Sequence, residues 1–235
     1  MREKQKAFRG AMLGLAVGDA MGSVVDRKSM EEICNDYGPN GLLGYDLANG
    51  YAEVSSYTQL AAFTANALLL GLTRRQVQNR NVPLVRYVGV ALREWSRSQQ
   101  YSTPERNYCW LSSEPELKRR RCMDTRMLDA LSREALGTPE NIVYRNDHPS
   151  ALTEVLPAAL LGSILEMEAD EVDLLSAEIV ALTHGDPQTF ICGAILAHAL
   201  CALSKQPDIS AEELLQDTVD SVSLQFSRQY GGCGH

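Results

Sequence analysis

The sequence predicts an all-α fold in a single domain. Three observations carry that expectation. Apolar residues recur at helical spacing along most of the 235 residues. No stretch alternates apolar and polar residues as a half-buried strand does, and no linker or fixed-period repeat interrupts the chain. The composition, 45% hydrophobic with only 6% aromatic, points to a core of Ala, Leu and Val, the residues packed helices use. A chain of this length can bury one sizeable core, and the pattern resolves into about eight or nine helices.

The first predicted helix, 10–22, carries Gly10, Gly14, Gly18 and Gly22 on one stripe. Each glycine costs a helix about 1 kcal/mol relative to alanine, so four in a row predict a central, buried helix on which other backbones pack closely. From 58 to 72, Leu60, Phe63, Ala67, Leu68 and Leu70 keep helical spacing. Asn81 and Pro83 open another helix, with Val85, Val88, Ala91, Leu92 and Trp95 on one face. The polar stretch 96–121, with Pro104 and Pro115, reads as a loop holding one short helix. Its cluster Arg119, Arg120 and Arg121 reads as a solvated helix end, too short to define an anion site. A helix over 124–136 turns Met127, Leu128 and Leu131 inward and stops at Gly137, Thr138 and Pro139. The helix over 150–167 should kink at Pro157, whose ring removes an internal hydrogen bond. Helices over 170–182 and 187–204 flank the turn Thr183-His184-Gly185-Asp186, and the capping box Ser210-Ala211-Glu212-Glu213 starts a last helix running toward Arg228.

Charge and cysteine usage exclude several partners. A net charge of −8 argues against phosphate-backbone binding, so nucleic acid is not an expected partner. Six cysteines (Cys34, Cys109, Cys122, Cys192, Cys201 and Cys233) show no CxxC pair and read as reduced thiols, which predicts a cytoplasmic protein. The basic start, Met1 to Lys6, mimics a signal peptide, but Arg9 and Asp19 interrupt the apolar run that follows. The segment 187–204 lacks Asp, Glu, Lys and Arg yet contains Gln188, Thr189 and His198, and it reads as a core helix with no membrane role.

Taken alone, the polar residues favour structural duties. Asp19 reads as a carboxylate capping a neighbouring helix end in preference to a catalytic acid. Thr183 and Asp186 end one helix and cap the next. His198, among alanines and leucines, reads as a satisfied core histidine.

Several phrases along the chain add a resemblance. The glycine-striped helix is followed by Val24-Val25-Asp26, by Tyr37-Gly38-Pro39-Asn40-Gly41, and by Glu53-Val54-Ser55-Ser56-Tyr57-Thr58-Gln59 before an apolar helix. Ala181-Leu182-Thr183-His184-Gly185-Asp186-Pro187 and the run from Asn146 to Pro157 complete the set. The order resembles the ADP-ribosylglycohydrolase family. The resemblance implies a compact all-α domain over 1–235, ADP-ribose or an ADP-ribosylated protein as partner, and a pair of magnesium ions as cofactor. The family's Thr-Asp-Asp-Thr metal segment corresponds here to Ser55, Ser56, Tyr57 and Thr58, and no late Asp-x-Asp-Thr motif occurs in the sequence. Two adjacent magnesium ions need several carboxylates, so no metal cofactor is expected, and the domain is expected to lack the family's C-terminal metal-binding segment.

By the same resemblance, Asp26 stands where a family glutamate lies near the scissile bond and is the candidate catalytic acid or base. Asn146, Asp147, Ser150, His184 and Asp186 are the candidate substrate-binding residues. His148 and Pro149 stand where the family favours small residues, and proline offers no N–H to a pyrophosphate. Glu154 replaces a family arginine, so a pyrophosphate is expected to meet the repelling carboxylates of Asp147 and Glu154, and ADP-ribose is expected to bind weakly unless the loop moves. Three functions follow: a degenerate homologue that binds an ADP-ribosyl-like ligand or a protein, a metal-independent hydrolase using Asp26 with help from His184, or a structural helical module.

Overall fold

The computed structural model describes residues 2–47, 50–100, 107–121 and 125–230. Among them the fold is all-α, with ten α-helices and no strand. Pro104, Cys122, Asp124 and residues 231–235 lie outside the described residues. The chain divides into two compact units, Met1–Gln59 and Leu60–His235.

The first unit holds α1 (Arg2–Gly22), α2 (Met30–Tyr37) and the start of α3 (Ser56–Gln78). The expectation of a buried glycine stripe is corrected here. Among the described residues a Cβ added at Gly10, Gly14, Gly18 or Gly22 would meet nothing within 4 Å, and Leu13 and Val17 are exposed. The four glycines therefore weaken α1 without a close backbone approach in return. Helix α2 escapes periodicity because it buries no residue. It was nonetheless legible from its start: the Ser29 hydroxyl accepts the Glu32 N–H at 3.3 Å while the Glu32 carboxylate accepts the Ser29 N–H at 2.7 Å. Ser29 thus opens α2 with the same kind of capping box that the sequence shows at Ser210.

The second unit contains the body of α3, then α4 (Leu84–Gln99), α5 (Pro115–Lys118), α6 (Thr125–Ser132), α7 (Leu156–Leu165), α8 (Ala169–Ala181), α9 (Pro187–Lys205) and α10 (Ala211–Tyr230). Its core falls into two apolar clusters. One gathers Phe63 and Leu68 of α3, Val88, Leu92 and Trp95 of α4, Met127 and Leu131 of α6 and Ile179 of α8. The other joins Val155, Val180, Phe190, Ala194, Val222 and Phe226. Helices α7 and α8 contribute to both clusters, which makes them the wall between the two cores. Helix α9 has the length and apolar composition of a membrane span, yet Phe190, Ala194, Ala197 and Cys201 are buried in the second cluster.

Three boundaries depart from expectation for local reasons. The segment expected as one kinked helix is a 3-10 turn, Pro149–Val155, followed by α7, which places Pro157 in the first turn of α7. There its missing N–H leaves no hydrogen bond broken. Helix α6 ends at Ser132, because the Arg93 guanidinium takes the carbonyls of Leu131, Arg133 and Glu134, and Leu136 packs on the first cluster from outside the helix. Helix α4 runs on to Gln99, and a 3-10 turn, Trp110–Ser113, precedes α5. That turn is held by buried Glu94, whose carboxylate accepts the N–H groups of Tyr108 (2.8 Å) and Cys109 (3.3 Å) and the hydroxyl of Ser112. The Cys109 thiol, buried beside that carboxylate, is pushed up to about 12. Burial is the larger cause and the negative charge of Glu94 the smaller.

Candidate functional site

In the first unit the start of α3 gathers the residues that correspond to the metal segment. Asp19, near the end of α1, spends its carboxylate on that helix end. One oxygen accepts the Ser55 N–H at 2.8 Å, the Thr58 N–H at 3.2 Å and the Thr58 hydroxyl at 2.6 Å; the other accepts the Ser55 hydroxyl at 2.5 Å. The Ser55 hydroxyl in turn accepts the Tyr57 N–H at 3.1 Å. The Ser55 amide and two of the amides that open α3, those of Tyr57 and Thr58, are thus satisfied by side chains, the capping role read from the sequence.

The donor chemistry of these positions does not fit a pair of divalent ions. Ser55, Ser56 and Thr58 offer neutral hydroxyls and Tyr57 a phenol. The carboxylate among them already receives four hydrogen bonds, and hard cations seek anionic oxygen. Among the described residues no three His, Cys, Asp or Glu side chains gather as a metal site would require. Asp26, just past α1, is half-exposed, with Arg27 Nε 3.8 Å from its Oδ2. A contact this open to water contributes little.

In the second unit the loop 146–150 and the turn 183–186 meet through one histidine. His184 is fully buried. Its Nε2 lies 2.9 Å from the Ser150 hydroxyl and its Nδ1 2.8 Å from the Thr183 hydroxyl. One ring nitrogen of a neutral imidazole donates and the other accepts, and hydroxyls can serve either way. Gly185 permits the close approach on the other side: its N–H donates to the Tyr144 carbonyl at 3.0 Å, and a Cβ there would stand 2.5 Å from Ile142 Cγ2. A serine and a histidine at hydrogen-bond distance suit nucleophilic catalysis in form. Here the serine is buried and the third group is a neutral threonine, which cannot stabilise an imidazolium. The arrangement acts as a latch between loop and turn.

The remaining candidates divide by exposure. Asn146 is buried and its side-chain oxygen accepts the His148 N–H at 3.2 Å, while His148 Nδ1 accepts the Ser150 N–H at 3.2 Å. Asp186 caps α9 by accepting the Gln188 N–H at 3.0 Å. Asp147 is exposed, with Arg126 at 3.6 Å. The expected repulsion from Glu154 is corrected: its side chain is fully buried and neither oxygen has a hydrogen-bond partner among the described residues. Burial holds its pKa well above the ordinary carboxyl value, which disfavours a charged Glu154 facing a ligand.

Sequence reasoning found His198 but missed its acid. His198 Nδ1 lies 2.9 Å from Asp173 Oδ2, joining α9 to α8. The hydrogen bond that Nδ1 donates to the Asp173 carboxylate raises the imidazole pKa. Burial pushes the Asp173 carboxyl up, and the hydrogen bond from His198 pulls it back. An acid on a helix face with a histidine on the next helix leaves no short-range pattern, so only packing pairs them.

An all-helical scaffold with a carboxylate-capped start to α3 and a Thr-His-Gly-Asp turn ahead of α9 defines the class. The family model described as ADP-ribosylglycohydrolase matches residues 1–230. The chain belongs to the ADP-ribosylglycohydrolase family, which acts on ADP-ribosylated substrates, and its function is ADP-ribosylglycohydrolase-like. Searches of curated proteins and of solved structures find no match.

Proposed function

We propose that this chain is a family member without dinuclear magnesium catalysis that keeps recognition of an ADP-ribosyl-like ligand. One observation carries the reading. Where an acidic cluster should assemble, the described residues show no group of three acidic, His or Cys side chains, and the Asp19 carboxylate is committed to Ser55 and Thr58. Two doubly charged ions so close together repel each other, and neutral hydroxyls cannot offset that repulsion. The recognition half rests on family membership and on a 146–150 loop held in one conformation by the bonds at Asn146, His148 and Ser150. A preordered loop spares a ligand the entropy of fixing it.

Thermal melts and a hydrolysis assay test both halves. Magnesium is expected to leave the melting temperature unchanged, whereas ADP-ribose raises it by binding the folded state alone. The chain and its Ser56→Asp/Tyr57→Asp variant, assayed side by side on an ADP-ribosylated protein, are both expected to release nothing. Two added carboxylates remain short of what two ions need. Magnesium-dependent release by the unmodified chain would overturn the catalytic half, and melts that ignore millimolar ADP-ribose would overturn recognition. The alternative, a metal-independent hydrolase, has the half-exposed Asp26 in its favour. Release without magnesium that vanishes in Asp26→Asn would establish it instead.

A further inference from the structure

We propose that a cavity of about 420 Å³ between α4 and the end of α6 binds a phosphate-bearing small molecule through Arg93, Arg97 and Arg133. Ser96, Gln100 and Glu134 also line it. None of these residues belongs to the loop 146–150, the turn 183–186 or the start of α3, so the inference stands apart from the ADP-ribosyl reading.

The first argument is the sign of the charge. In a chain of net charge −8, this cavity brings three guanidinium groups against one carboxylate. The second is how Arg93 is held. Its Nε donates to the Leu131 carbonyl at 3.2 Å, and its Nη2 donates to the carbonyls of Arg133 and of Glu134, the latter at 2.7 Å. A helix C-terminus would by itself repel an anion. Here those carbonyls are already covered, and Nη1 has no partner among the described residues. The third is Arg133, which lies over the Tyr144 ring at 5.2 Å and makes no ion pair among the described residues. Burial, and then repulsion from Arg97, lowers the Arg93 pKa; an anion seated between the two would relieve that repulsion. Guanidinium forks match phosphate oxygens in pairs. The volume exceeds what orthophosphate fills, which leaves space for an organic group.

Calorimetry of the full chain at low salt tests the site with orthophosphate and ribose 5-phosphate as probes and ribose as control. Both phosphates should bind saturably and ribose should not; the tighter of the two tells whether the ligand is the free ion or an ester. The Arg97→Gln/Arg133→Gln variant should bind about tenfold more weakly or worse. Arg133→Lys, which keeps the charge and loses the fork, should fall between. No saturable binding in the millimolar range would overturn the proposal, as would affinity unmoved in the double variant. Should the double variant fail to fold, unchanged affinity in Arg133→Lys would overturn it alone.

Discussion

Glu154 and His198 both make stability fall with rising pH, for different reasons. A carboxyl whose folded pKa is raised binds its proton more tightly in the folded state. Its penalty is absent below the ordinary value of 4.5 and grows as pH rises toward the folded value. The slope from one such group reaches at most about 1.4 kcal/mol per pH unit. Glu154→Gln should flatten this part of a urea-unfolding series, and an unchanged slope would contradict a buried, protonated Glu154. The raised imidazole of His198 works from the other side. Its contribution is complete below 6.5 and is lost as pH rises through the folded value. An NMR titration should place the His198 midpoint above 6.5, returning toward it in Asp173→Asn. Thiol labelling at neutral pH is a third check at this scale. Exposed Cys192 should react, while Cys109 and Cys201, both buried with raised pKa values, should not.

At the scale of elements, α1 and α7 make opposite predictions about backbone-special residues. Among the described residues nothing approaches the glycine row of α1, so Gly14→Ala should stabilise that helix by about 0.5–1 kcal/mol, measured by amide exchange along α1. A loss of stability would mean that another surface packs closely on the row. Pro157→Ala should change stability by less than about 1 kcal/mol, since a first-turn proline breaks no hydrogen bond. A kinked interior proline would instead yield a gain of about 3 kcal/mol on replacement. Asp19→Asn should release the start of α3, with a cost of about 1–2 kcal/mol and faster exchange at the Ser55 and Thr58 amides.

At the scale of the molecule, the second unit carries nearly all of the buried apolar residues and the first unit contributes Ala20. Trp95, fully buried in the first cluster, is the largest side chain in that core. Trp95→Ala should cost about 3–5 kcal/mol, read from urea unfolding. Helices α8 and α9, packed along each other with His198 and Asp173 between them, should hold the slowest-exchanging amides. Faster exchange there than in α1 would contradict this distribution of burial.

The all-helical class, the order of most helices and the family motifs were legible because helical periodicity, caps and motifs are short-range properties of the chain. The acid-poor start of α3 was legible for the same reason, since Ser56 and Tyr57 are read directly. Burial was not. Whether Glu154 is an exposed rim residue or a buried core residue, whether His184 faces a ligand or pins a loop, and whether the glycines of α1 meet a neighbour all depend on what distant segments bring alongside. The union of Arg93, Arg97 and Arg133 likewise arises only when the end of α6 folds against α4. Long-range packing sets the local dielectric and the available hydrogen-bond partners, and these decide what each polar side chain does.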